Sequence, residues 1–265
     1  MSTESPFWNA QKSGWRTLRG LRPGTIDLQR ISLIREESPE HLSRSENLER
    51  LLLDLGLNDE GMNEYPASLH PFCGSGLRVW QYPSQFSKYL AQVCRLQVRS
   101  YLELGIRHGG SFVATVEILD RFSPVKLAVG VDILPAPSMA EYRRLNARIE
   151  FACINTQSPE FDALVERLGP IDLVFIDSHH EESQCRREFA SVRDRANMIA
   201  FHDISNVNCP GVSRVWDEVK AMNSYECYEY TDQYEGMGTR VWRRLAIAES
   251  PRLAASTFFL SMRTI

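Results

Sequence analysis

The sequence predicts an α/β fold: a doubly wound, mostly parallel sheet of seven strands with one antiparallel strand, behind a helical and irregular amino-terminal extension. Three observations carry this. Short apolar runs recur from residue 100 onward, stretches long enough for one helix separate them, and the last two runs lie too close together for a crossover. Strands buried on both faces and joined by helical crossovers read as near-continuous apolar runs of this kind.

The first forty residues are mixed, broken by Gly20, Pro23 and Gly24, and read as a partly irregular arm. Ser43 and Glu46 have the spacing of a capping box, Leu48, Leu51, Leu52 and Leu55 recur at helical spacing, and Gly56 stops the helix. Residues 57–82 hold several turn formers and read as loop. Pro83 then opens a helix whose Phe86, Tyr89, Leu90 and Val93 share one face. The alternation that follows places strands at 101–104, 127–132, 149–154, 171–177 and 198–203. Helices fall at about 110–121, 139–148, 159–168, 181–195 and 211–222. Residues 225–230 and 239–245 read as strands separated only by 231–238, a connection that favours an antiparallel pair. The expected division is an arm over 1–97, with a lid or self-association role, a catalytic domain over 98–247 and a tail over 248–265.

Composition bounds the class. Of 265 residues, 43% are hydrophobic and 24% charged, with a net charge of −4, so a disordered or fibrous chain is excluded. No apolar run approaches a membrane span, residues 1–15 lack the core of a signal peptide, and nothing concentrates basic charge for nucleic acid. Six scattered cysteines without a CxxC pair read as reduced thiols of a cytoplasmic protein.

Chemistry gathers at the carboxyl ends of the strands, where an open parallel sheet has its crevice. LELGIRHGGS, residues 102–111, offers an acid at Glu103, a turn at Gly105 and a glycine pair, Gly109 and Gly110, opening a helix. It lacks the Gly-Lys-Ser/Thr of a phosphate loop and the glycine spacing of a dinucleotide fingerprint. An acid at this turn repels pyrophosphate but suits a ligand carrying ammonium and sulfonium charges. Asp132 can accept from two ribose hydroxyls, and Asn155–Thr156 lies where adenine would. Each acid alone reads as a solvated strand end; three in register point to a ligand. FIDSHH brings Asp177 and His180 to the fourth strand end, and FHDI brings His202 and Asp203 to the fifth. Carboxylates with an open face suit a divalent cation, and a neutral imidazole beside them can take a proton.

These motifs resemble class I S-adenosylmethionine-dependent methyltransferases over roughly residues 100–245, through LELGIRHGGS, VGVD, FIDSHH, FHDI and an EGMG hairpin turn. The chain looks closest to the branch of macrolide-sugar O-methyltransferases and proteins named cephalosporin hydroxylases. The resemblance implies a Rossmann-like methyltransferase sheet. It implies S-adenosylmethionine held by Glu103, Gly105, Gly109, Ser111, Asp132, Asn155, Thr156 and Asp177. A divalent metal, Mg²⁺ or another, would sit on Asp177, His202 and Asp203, with His180 as base beside Asp177. His202 departs from the branch, which has glutamate there, and imidazole suits Zn²⁺, Mn²⁺ or Fe²⁺ better than Mg²⁺. A hydrogen-bonded strand-end histidine is the other reading of His202. A second departure is Ala196–Asn197, where many relatives carry a glycine pair. His179 reads as a packed or exposed neighbour of the site, and Phe189 and Trp216, on apolar helix faces, as core residues.

The expected function is methyl transfer to a hydroxyl of a small molecule, a sugar or natural product, in natural-product biosynthesis. The alternatives are a metal-dependent hydrolase or hydroxylase on the same residues, or a non-catalytic binding module. Residues 70–90, with Trp80, Tyr82 and Phe86, either cover the crevice or pack on the sheet. Expected partners are the acceptor and, for the arm, a second copy of the chain; neither nucleic acid nor membrane is expected.

Overall fold

A computed structural model describes residues 23–60, 62–205, 209–232, 234 and 245–250. Among them run seven strands, β1 Ser100–Leu104, β2 Leu127–Asp132, β3 Ile149–Cys153, β4 Ile171–Ile176, β5 Ala196–Phe201, β6 Glu226–Tyr230 and β7 Leu245–Glu249, in the order β3-β2-β1-β4-β5-β7-β6. β1 to β5 are mutually parallel, and β7 runs antiparallel to both its neighbours. This is the Rossmann-like methyltransferase sheet with one reversed strand.

Alternate residues of each strand feed two cores. On one face Leu102, Leu104, Val174, Ile176 and Phe201 pack under helices over Pro159–Leu168, Glu182–Val192 and Pro210–Ala221, which contribute Phe161, Phe189 and Trp216. Phe189 and Trp216 are core residues, as their spacing predicts. On the other face Tyr101, Leu173, Phe175 and Met198 meet the amino-terminal layer. The helices there span Ile31–Glu36 (α1), Pro39–Leu42 (α2), Ser45–Leu55 (α3), Pro83–Val93 (α4), Gly110–Phe122 (α5) and Met139–Leu145 (α6); the three on the first face are α7, α8 and α9 in chain order. Phe86 and Tyr89 of α4 stack on Phe175, with ring centroids 6.5 and 5.8 Å away. A single core therefore runs from Ile26 to Ile247 across the division expected at residue 97. Ala248 and Glu249, expected in the tail, lie in β7.

Four expectations change. Residues 28–42 are largely helical, because Ile31, Ile34 and Leu42 bury one side against the core. Ser43 does not cap α3: it ends α2, and its hydroxyl donates to the Glu40 carbonyl, so the helix begins after Arg44. Residues 57–82 contain 3-10 turns at Met62–Glu64 and Ala67–Phe72, tied down where Leu57 bridges Cys73 and Val79. The last strand runs past Leu245 to Glu249, because the apolar Leu245–Ala248 run fills the slot between β5 and β6. The EGMG turn and residues 239–244 lie outside the described residues, as do 1–22 and 251–265.

Candidate active site

The order reverses between β1 and β4, so the crevice opens where Leu104 and Ile176 end. Gly105 makes it possible. It turns at φ +91°, and a Cβ there would lie 2.2 Å from the Asp177 carbonyl oxygen. Asp177 N–H in turn donates to Leu104 O at 2.9 Å. Above this junction lies a cavity of about 530 Å³.

Of the residues expected to hold cofactor, Gly105, Ser111, Asp132, Asn155, Thr156 and Asp177 line the cavity. Asp132 is fixed by two backbone donors, Arg107 N–H to Oδ2 at 2.7 Å and Leu134 N–H to Oδ1 at 2.8 Å. Burial raises its pKa, and those N–H groups oppose the shift. Thr156 donates to Glu188 Oε1 at 2.6 Å, and Ser178 donates to the same oxygen. Glu188 is fully buried, which raises its pKa against the pull of these hydroxyls. Gln184 closes the network by donating to Thr156 Oγ1 at 3.1 Å.

Glu103 and Gly109 are not among the lining residues. Glu103 is buried below the floor, accepts from the Tyr101 hydroxyl at 2.5 Å, and leaves Oε1 without a hydrogen-bond partner. Burial pushes its pKa up to about 8, with Asp177 and Asp132 adding to the rise and Tyr101 opposing it. The space beside Gly109 is taken by Met139, and that beside Gly110 by the Leu77 carbonyl, 1.9 Å from where a Cβ would sit. The glycine pair thus admits protein, not ligand, and what it admits at Gly110 belongs to the amino-terminal layer.

That layer also clamps the glycine loop. Glu60 takes a bidentate pair from Arg107, at 3.0 and 2.9 Å, and lies 3.2 Å from His108 Nε2. Although burial opposes it, His108 and Arg107 hold the Glu60 pKa down at about 2. Gly24 N–H donates to His108 Nδ1 at 2.8 Å. Trp80 and Glu64 line the cavity, Trp80 N–H donates to Ser111 Oγ at 3.3 Å, and Gln81 Nε2 donates to Asp177 Oδ2 at 2.7 Å.

At the ends of β4 and β5, His202 Nδ1 lies 2.8 Å from Asp177 Oδ1 and 3.8 Å from Asp203 Oδ2. His180 Nε2 lies 3.4 and 3.5 Å from the same two oxygens. Asp203 is held in the left-handed region at φ +63°, and the Cys209 thiol donates to its Oδ2 at 3.6 Å. Burial opposes ionisation of Asp177, yet His202 and His180 hold its pKa well below the usual range. Burial likewise opposes a charge on His180, yet Cys209, Asp203 and Asp177 raise its pKa well above that of free imidazole. Burial pushes the Cys209 thiol up to about 11.

The metal trio expected from sequence is not the compact one. The ligand atoms that all lie within 4.8 Å of one another belong to Asp177, His180 and His202, and to His180, Asp203 and Cys209. Cys209 escaped notice because a lone cysteine 32 residues after Asp177 carries no spacing signal. Glu188 left a trace: it is a charge on the apolar stripe of Cys185, Phe189 and Val192. His179 stays outside the cluster, 3.0 Å from Glu181.

Comparison with known proteins bears on the fold. Residues 102–204 match a family model described as a methyltransferase domain. No curated protein matches the chain. Among solved structures, an O-methyltransferase from Bacillus cereus with S-adenosylhomocysteine is 16% identical, covers 82% of this chain and 100% of its own, and superposes with a TM-score of 0.50. TomG of Streptomyces achromogenes, an O-methyltransferase of tomaymycin synthesis bound to S-adenosylmethionine, is 15% identical over 65% of this chain and 81% of its own, with a TM-score of 0.49. MycE of the mycinamycin pathway, with Mg and S-adenosylhomocysteine, is 18% identical over 65% of this chain, with a TM-score of 0.43. The match spans half the length of MycE. Residues 102–204 thus match a methyltransferase domain and carry the strands that give the sheet its Rossmann-like methyltransferase order.

Proposed function

We propose that the chain transfers a methyl group from S-adenosylmethionine to a hydroxyl of a small molecule, a sugar or other natural product, in the cytoplasm. The observation that carries this reading is one cavity holding both halves of the reaction: Asp132, Asn155 and Thr156 at one end, Asp177, His180, His202 and Asp203 at the other. Its size, about 530 Å³, suits a small ligand rather than a polymer. Among the described residues no helix is long and apolar enough to cross a membrane.

In this reading Asp132 accepts from the ribose hydroxyls, and Asn155 and Thr156 border the adenine. The acceptor oxygen attacks the sulfonium methyl in line; the carbon–sulfur bond breaks, its electron pair stays on sulfur, and S-adenosylhomocysteine leaves neutral at sulfur. The hydroxyl proton goes to the cluster, with His180 in position to receive it at Nε2 whenever that nitrogen is unprotonated. Asp177 orients the imidazoles through Oδ1 while Gln81 holds Oδ2. A divalent cation bound here would acidify the hydroxyl. The donors include two imidazoles and a thiol, a set that does not fit the oxygen-only preference of Mg²⁺.

Calorimetry with S-adenosylmethionine and S-adenosylhomocysteine tests the reading. Both ligands are expected to bind, and Asp132→Ala to weaken both. Absence of binding by the folded wild-type chain overturns it.

A further inference from the structure

We propose that Asp177, His180 and His202 form a binding site for a divalent transition metal of the Zn²⁺, Mn²⁺ and Fe²⁺ class, selected over Mg²⁺. The inference shares the active-site placement proposed above but moves His180 from proton acceptor to ligand.

His202 is the first support. It is 3% exposed, and neither ring nitrogen has a hydrogen-bond partner. Nδ1 makes an ion-pair contact with Asp177 Oδ1 at 2.8 Å outside hydrogen-bond geometry, and Nε2 has no hydrogen-bond partner. A buried imidazole whose nitrogens make no hydrogen bond is costly unless something else takes its lone pair. Spacing is the second support. Asp177 Oδ1 is 2.8 Å from His202 Nδ1 and 3.4 Å from His180 Nε2. Donors bound to one cation at roughly 2.0–2.2 Å, at angles between square and tetrahedral, stand about 3–3.5 Å apart. Support is the third. Gln81 occupies the other oxygen of Asp177, leaving Oδ1 for the cluster, and outer hydrogen bonds of this kind orient metal ligands. Asp203 Oδ2, 3.5 Å from His180 Nε2 and bonded by the Cys209 thiol, flanks the site and offers further negative charge.

The donor types decide the cation. Two imidazoles and one carboxylate suit Zn²⁺, Mn²⁺ and Fe²⁺, whereas Mg²⁺ takes oxygen ligands and keeps its waters. Three protein donors leave coordination positions open towards the cavity, which all three residues line.

The test uses the full-length chain stripped with a chelator and titrated separately with ZnCl₂, MnCl₂ and MgCl₂, with CoCl₂ as an absorbance probe. Zn²⁺ should bind about 100-fold or more tighter than Mg²⁺, and Co²⁺ should give the visible bands of a nitrogen-ligated site. His180→Gln and His202→Gln should each weaken Zn²⁺ by about tenfold or more, and His202→Glu should shrink the Zn²⁺ to Mg²⁺ ratio about tenfold. Mg²⁺ binding as tightly as Zn²⁺, no uptake of any metal, or full Zn²⁺ affinity in His180→Gln overturns the proposal. The wild-type ratio needs no variant, so a variant that fails to fold leaves the test intact. S-adenosylhomocysteine titration of the same samples reports the methyltransferase reading separately: loss of one result leaves the other standing.

Discussion

Towards the β1–β2 end of the crevice Asp132, Glu60 and Glu188 are each held by groups of the protein. Asp132 holds two backbone N–H groups, Glu60 holds Arg107 and His108, and Glu188 gathers Thr156, Ser178 and Gln184. At the β4–β5 end two imidazoles and two carboxylates crowd within a few ångströms, with neither ring nitrogen of His202 in a hydrogen bond. The first arrangement fixes geometry for a ligand that brings its own charge. The second stores interaction for something that arrives, because buried polar groups left unpaired are stabilised only by a further partner. A site that must both hold and react can divide those tasks between neighbouring strand ends.

The comparison can be broken most sharply at Asp177. Asp177→Asn keeps the shape but removes the charge that organises both imidazoles, and transfer should fall by roughly 10³-fold. Cofactor affinity should change far less. An equal loss in both, read by steady-state kinetics and calorimetry, would mean that the two ends act as one.

Next is Glu103, buried beneath both ends. Its folded pKa, about 8, stands above the usual 4.5, so between these values the native state holds a proton that the unfolded state has lost. Stability should therefore fall as pH rises from 4.5 to 8, by on the order of 5 kcal/mol. Denaturant titrations should show Glu103→Gln lacking that decline. A decline of equal size in both proteins would place its source elsewhere.

Glu60 has the opposite sign. Its folded pKa, about 2, lies below the usual 4.5, so its contribution is complete above 4.5 and lost as pH falls towards 2. The wild type should lose on the order of 2 kcal/mol in that window, and Glu60→Gln should show a shallower acid limb. The smallest effect is expected at Asp132→Asn. It retains one acceptor, so S-adenosylhomocysteine should bind about tenfold more weakly, with folding nearly unchanged. Affinity equal to wild type would remove Asp132 from the cofactor's contacts.

The sheet was legible because β1, β2, β4 and β5 are largely buried on both faces and read as mostly apolar runs. Strand-end acids were legible for the same reason, since Asp132, Asp177 and Asp203 each stand at the edge of such a run. The Ser43 motif misled because a capping box is a local pattern, and the preceding short helix claimed that hydroxyl. Glu60, Gln81 and Cys209 were hidden by sequence distance. Glu60 meets Arg107 47 residues away and Gln81 meets Asp177 96 residues away, contacts that exist only after the amino-terminal layer has docked. His180 was visible as a site residue, but its place between two carboxylates needed coordinates.

One feature of the sheet bears on how the protein is made. β7 leaves the ribosome after β6 yet lies between β5 and β6. Until residues 245–249 emerge, β5 keeps an open hydrogen-bonding edge, and β6 lacks its ladder partner among the described strands. Nascent chains stalled before residue 245 should therefore expose an adhesive edge beside the reactive cluster, and need shielding that the finished chain supplies for itself.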